Sequence, residues 1–224
     1  MTELNEALQA ATDPSRHRYN RIKVLLLSWY EDDLNVMPEL EALEKQFQLQ
    51  FGYDTEHYLI PSFNPHIELY RKITEVMREY NTAENLLIVY YAGHGAERPR
   101  GNPSGQCYWA PRSNGIPCLQ WYLLQPMLQW SDCDIVLLLD CCAAGSAAEI
   151  EGDSRTELLA ACGRESTADG PGHLSFTNSL IVTLGTFNEP FSIHELWHRM
   201  LKDRRKFLKQ TPHHVPLSGV PVPA

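Results

Sequence analysis

Residues 134–146 read DIVLLLDCCAAGS. Ile135 to Leu139 are aliphatic without interruption. A run of this length with no polar alternation fits a strand covered on both faces, as in a parallel sheet. Two other stretches share the character: IKVLLLSW (22–29) and NLLIVYYAGHG (85–95). Between and after them lie segments of helical period. MPELEALEKQFQLQF (37–51) sets Leu40, Leu43, Phe47 and Phe51 on one side, with Pro38 early, where a helix tolerates it. PHIELYRKITEVMREY (65–80) places Ile67, Tyr70, Ile73, Val76 and Met77 on one stripe. LQWYLLQPMLQW (119–130) reads as a helix disturbed by Pro126, and 175–187 and 192–208 read as two more helices. EHYLIPS (56–62) is a short strand, TELLAAC (156–162) another, and HHVPL (213–217) a last edge strand. Strand–helix–strand alternation implies right-handed crossovers. The expectation is an α/β three-layer sandwich around a mostly parallel, six-stranded sheet with helices on both faces.

The chain has 224 residues, 43% apolar and 21% charged, which suits one globular domain with a sizeable core. Residues 22–217 form that domain in this reading. Residues 1–21 are an N-terminal extension in which 3–11 make a short amphipathic helix carrying Leu4 and Leu8. SGVPVPA (218–224) is a tail or the start of a linker to other domains of a longer chain. A formal charge of -9 argues against nucleic acid or an anionic membrane as partner and favours something basic. No apolar segment approaches the roughly 20 residues that cross a bilayer, and the N-terminus lacks the basic-then-apolar pattern of a secretory signal. Six cysteines without a Cys-x-x-Cys pair argue against a structural zinc knuckle, and a reducing cytoplasm is the expected compartment.

In parallel sheets the functional residues sit just past the carboxyl ends of the strands. Here those ends are SWYEDD, AGHGA and DCCAAGS. His94 lies between glycines that permit a tight turn and a close approach of backbone to ligand. Cys142 lies 48 residues further on, at the tip of another buried strand. A thiol needs a neighbouring base or cation to attack at neutral pH, and His94 is the available base. Strand side chains alternate, so Asp140 and Cys142 share a face while Cys141 points the other way. A buried carboxylate at Asp140 calls for a cation, and an arginine would meet it bidentately. The competing reading makes both cysteines inert core residues.

LLIVYYAGHGA and IVLLLDCCAAGS resemble the histidine and cysteine motifs of the caspase/metacaspase superfamily of cysteine peptidases, and their separation is similar to the caspase spacing of about 50 residues. FTNSLIVTL and STADG are looser matches, and the resemblance runs from about 22 to 217. The animal caspase signature Gln-Ala-Cys-x-Gly is absent, so the chain looks closer to metacaspases and to the caspase-like domains of fungal multidomain proteins. The resemblance implies a caspase-like fold and a His94–Cys142 dyad cleaving peptide bonds through an acyl-enzyme. The Gly95 and Cys142 backbone N–H groups would hold the oxyanion. It also implies that Asp140 lines an acidic specificity pocket, with a second acid from Asp32 or Asp33, Asp33 being favoured. Cleavage would then follow Arg or Lys in a protein or peptide substrate. Self-cleavage after Arg155 and activation by calcium, with Glu149, Glu151 and Asp153 as available carboxylates but no ligand set assigned, are further expectations of the same kind. No other cofactor is implied.

Two readings compete. One is a catalytically silent caspase-like scaffold or regulatory module, since a fold does not guarantee activity. The other is a zinc peptidase using HELWH, in which His194 and His198 would ligate, Glu195 would be the base, and the third ligand would come from Asp203, His213 or His214.

Overall fold

The computed structural model describes residues 18–97, 107–149, 154–164 and 166–217. The expected extension helix at 3–11, the tail from 218, and Glu151 and Asp153 lie outside the described residues.

Six strands make one sheet: β1 (Arg21–Trp29), β2 (Asp54–Ile60), β3 (Asn85–Ala92), β7 (Asp134–Asp140), β8 (Thr156–Ala160) and β9 (His213–Pro216). Their order is β2-β1-β3-β7-β8-β9. The first five are mutually parallel and β9 closes the edge antiparallel to β8. The alternation of side chains divides the core in two. Val24, Leu26, Ile88, Val136 and Leu138 face one layer, built by α1 (Met37–Phe51), α4 (Phe176–Leu184) and α5 (Ile193–Phe207). Leu25, Leu27, Val89, Leu137 and Leu139 face the other, built by α2 (Pro65–Tyr80) and the short α3 (Gln125–Gln129). This is the three-layer α/β sandwich the uninterrupted apolar strands require.

The helix ends follow local chemistry. Pro38 opens α1, and Gly52 ends it in the left-handed region at φ 68°, donating its N–H to Gln48 O at 3.1 Å. Pro65 opens α2 in the same way.

Three expectations change. In α2 the buried stripe is Leu69, Ile73, Val76 and Tyr80, whereas Ile67 and Tyr70 are exposed. Ile73 and Val76 belong to both faces, so the packed face is turned by only about 60° from the stripe chosen in the sequence. Residues 119–130 are not one helix: Leu119–Gln120 form strand β6, a single 3-10 turn follows at Trp121–Leu123, and only α3 is α-helical. The cause is a second, three-stranded antiparallel sheet that the sequence reading missed. It runs β4 (His94–Glu97), β5 (Cys107–Ala110) and β6, and pairing with β5 holds Leu119 and Gln120 extended.

Aromatic stacking fastens this small sheet to the main one. Tyr91 of β3 stacks on Trp109 of β5 at 3.8 Å between ring centres, and Trp109 stacks on Trp121 at 4.1 Å. All three rings are fully buried. Trp109→Ala is expected to cost about 3–5 kcal/mol, the usual range for emptying a buried tryptophan site. An unfolding free energy from chemical denaturation within about 1 kcal/mol of the native protein's would contradict that anchoring role.

Candidate functional site

The strand order reverses between β1 and β3: the chain leaves β1 for β2 on one side and returns to β3 on the other. The crevice beyond such a switch point is where open α/β sheets place ligands. The loop after β1 carries Asp32 and Asp33, β3 leads to His94, and the adjacent β7 leads to Cys142.

The backbone there is tightly determined. Gly93 sits at φ 154° and donates its N–H to Asp140 O at 3.3 Å, tying the end of β3 to the end of β7. Trp29 Nε1 donates to Tyr91 Oη at 3.0 Å, and Tyr91 Oη donates to His94 O at 2.9 Å. A Cβ on Gly95 would lie 2.3 Å from Cys142 O and 2.8 Å from Cys141 Sγ, so only glycine lets β4 pass this closely over the β7 tip. Ala143 takes the left-handed region at φ 56° and its N–H donates to Ser166 O at 3.0 Å, which turns the chain sharply after Cys142.

The functional side chains divide into two groups. His94 Nε2 lies 2.5 Å from Asp33 Oδ1. The imidazole beside Asp33 holds that carboxyl below its ordinary range, and the Ser113 N–H, 3.4 Å from Oδ2, acts in the same direction. Cys142, half-buried, has its Sγ 4.0 Å from Ala168 O and makes no hydrogen bond to His94. The structure thus brings His94 and Cys142 to neighbouring strand ends, yet His94 is paired with the acid expected to line a pocket. Asp32 does something different again: its Oδ2 accepts the Val36 N–H at 3.1 Å and shapes the turn before α1.

Asp140 points into the α1/α4/α5 layer and is 9% exposed. Its Oδ2 accepts from Thr177 Oγ1 at 2.5 Å and from the Thr177 N–H at 3.3 Å. Burial pushes the carboxyl up to about 7, against the pull of the Thr177 hydrogen bonds. Cys141 faces the opposite layer, fully buried. A hydrogen bond with Cys107, then burial, hold its thiol protonated and well above its ordinary value. Burial also pushes the Cys162 thiol up to about 11, and it donates to Ser166 O and Cys141 O. Cys142 alone of this group reaches the crevice. Three of the site's determinants, the Asp33–His94 pair, Thr177 and Cys107, were not legible as partners, because each depends on contacts between segments far apart in sequence.

The other expected sites are also placed. Arg155 O accepts the Ile135 N–H at 2.8 Å, and Thr156 is fully buried, so cutting after Arg155 would require drawing the start of β8 out of the sheet. In HELWH, Glu195 is engaged in a reciprocal cap with Ser192, accepting from its N–H at 2.8 Å while its own N–H donates to Ser192 Oγ at 3.2 Å. The His194 and His198 rings lie 4.5 Å apart on the surface, and His214 pairs with the buried Glu157. Among the described residues no group of three or more His, Cys, Asp or Glu side chains is arranged to hold a metal ion. No helix among them is long and apolar enough to cross a membrane.

A parallel sheet with histidine and cysteine at adjacent strand tips defines a caspase-like α/β domain, and solved structures agree on the fold. The protein GSU0716 from Geobacter sulfurreducens matches with a TM-score of 0.64 at 13% identity, covering 91% of this chain and 95% of that one. Caspase-1 from Spodoptera frugiperda matches with a TM-score of 0.60 at 13% identity, covering 91% and 89%. Residues 6–150 match the family described as the Raptor N-terminal caspase-like domain, and the chain belongs to that family. No curated protein matches the chain.

Two outcomes follow from this geometry. Gly95→Ala should lower stability by about 1–3 kcal/mol through the clash with Cys142 O; a variant as stable as the native protein would refute the close approach. The unfolded Asp140 carboxyl titrates near 3.8 and the folded one at about 7. The folded protein therefore keeps a proton that the unfolded chain has lost, and stability falls as pH rises through that window. Asp140→Asn should gain on the native protein from pH 4 to pH 8 by on the order of 2–4 kcal/mol. Parallel melting-temperature profiles across this range would show the carboxyl is not held that high.

Proposed function

We propose that the chain is a non-catalytic caspase-like module that uses its switch-point crevice for recognition rather than cleavage. The observation carrying this reading is the pairing of His94 Nε2 with Asp33 Oδ1 at 2.5 Å, while among the described residues the hydrogen-bond partner of Cys142 Sγ is the Ala168 carbonyl at 4.0 Å. A base that is to take the thiol proton has to stand within hydrogen-bond reach of it. Supporting it, the family is described by likeness to caspases and not by an activity. Burial pushes the Asp140 carboxyl up to about 7, so near neutral pH it is less fully charged than an ordinary arginine-binding acid. The partner class that suits a chain of charge -9 is a basic protein or peptide segment.

A second reading has its own support. His94 and Cys142 stand on adjacent strand tips tied by the Gly93–Asp140 bond, as a cysteine peptidase requires. In that reading Asp33 orients the imidazole rather than lining the specificity pocket. Asp140 remains the anchor for Arg or Lys, and a bound cation would strip its proton.

A fluorogenic peptide panel with Arg, Lys or Asp at the cleavage position separates the two. The recognition reading expects no turnover that differs between the native protein and Cys142→Ala. Hydrolysis after Arg or Lys that disappears in Cys142→Ala and falls in Asp33→Asn would establish the peptidase reading instead.

A further inference from the structure

Four of the six cysteines, Cys107, Cys141, Cys142 and Cys162, gather at the tip of β7. They differ in what can reach them. Cys107, Cys141 and Cys162 are buried, whereas Cys142 is half-buried and opens on the crevice. A Cβ on Gly95 would touch Cys141 Sγ, so β4 lies over that thiol and shuts it from the crevice. Thiol oxidation follows access, and a soluble oxidant meets Cys142 first.

The buried thiol beside Cys142 belongs to Cys162. Strands β7 and β8 are parallel with Leu139 opposite Ala160, and the next N–H, of Ala161, donates to Leu139 O at 2.9 Å. Continued in that register, Cys162 stands opposite Cys141 and one residue short of Cys142. With neighbouring strands about 4.8 Å apart and a rise of about 3.3 Å per residue, the Cα atoms of Cys142 and Cys162 are about 6 Å apart, inside the roughly 4.4–6.8 Å that a disulfide spans. Past the strand ends the two segments stay bound together. Cys162 Sγ lies 3.4 Å from Cys141 O, the carbonyl of the peptide bond into Cys142. It also lies 3.2 Å from Ser166 O, which accepts the Ala143 N–H at 3.0 Å. The Cys162 sulfur is thus seated against the residues on both sides of Cys142. The Gly145 N–H donates to Cys162 O at 3.1 Å, which fixes one backbone against the other.

We propose that Cys142 is a site of reversible oxidation by hydroperoxides, with Cys162 as its resolving thiol. The peroxide transfers one oxygen to Cys142 Sγ, leaving a sulfenic acid and releasing an alcohol, or water from hydrogen peroxide. Cys162 Sγ then attacks that sulfur, the S–O bond breaks, and the oxygen leaves as water with the Cys162 proton. The two thiols give up two electrons and the peroxide takes them; a thiol reductant reverses the bond. Closing it asks only for a new χ1 rotamer at Cys142, which now holds its sulfur 4.0 Å from Ala168 O. Burial pushes the Cys162 thiol up to about 11, so it stays protonated and unreactive until a sulfenic acid forms beside it. The inference holds whether the crevice cleaves or only binds, since in either case the bond removes the thiol that faces it.

Peptide mapping of the full chain tests it. The reduced protein is treated with equimolar hydrogen peroxide, alkylated, and digested with trypsin in the absence of reductant. Residues 113–154 contain no Lys or Arg, so Cys141 and Cys142 share the fragment 113–155, while Cys162 falls in 156–164. These two fragments should be joined within one chain, with tandem fragmentation placing the link at Cys142, and the link should be absent from Cys142→Ser. In Cys162→Ser, dimedone labelling of Cys142 should rise about fivefold or more, because the sulfenic acid has lost its partner. A Cys107–Cys141 link, a link between chains, or sulfinic acid at Cys142 with Cys162 still free would overturn the inference. Equal dimedone labelling in Cys162→Ser and the native protein would overturn it as well.

Discussion

The hydrogen bond from the Gly93 N–H to Asp140 O, 3.3 Å long, is the joint on which the candidate site turns. It locks the tips of β3 and β7 in register, one step beyond the Ala92–Asp140 pair. From that joint His94 starts the small sheet on one side and Cys142 starts the turn on the other. Gly95 then has to pass against Cys142 O with no room for a Cβ. The stacked rings of Tyr91, Trp109 and Trp121 hold the small sheet in that position from below. Change any of these contacts and the distance between histidine and cysteine is no longer set.

Much of the architecture is legible in the sequence because uninterrupted apolar strands and amphipathic helices leave few ways to bury both kinds of face. Strands β1, β3 and β7 are marked by runs such as Ile135–Leu139, and their burial on both sides follows directly. Pro38 and Gly52 mark the ends of α1 for simple steric reasons. The small sheet is illegible because its strands are two to four residues long and its stability comes from stacking on Tyr91, a contact no local pattern announces. The exposed Ile67 and Tyr70 misplace the stripe of α2 for a related reason. Apolar content alone does not say which of two overlapping faces meets the sheet.

The site shows the same division. His94, Cys142 and the outward turn of Cys142 relative to Cys141 follow from motif and strand alternation. The role of Asp33 does not, because its pairing with His94 joins residues 61 positions apart across the switch point. Nor does the environment of Asp140. Its burial beneath α4 raises the carboxyl to about 7, against the pull of its bonds to Thr177, where the sequence suggests a fully ionised acid. In both cases an acid the sequence offers to a substrate is already bonded within the fold, Asp33 to His94 and Asp140 to Thr177.

The claim that His94 serves Asp33 rather than Cys142 is tested most directly by the rate at which iodoacetamide alkylates Cys142, followed by mass spectrometry between pH 6 and 9. The account predicts the same rates in the native protein and in His94→Ala. A fall of more than about tenfold in His94→Ala near neutral pH would show the imidazole activating the thiol, and would contradict it.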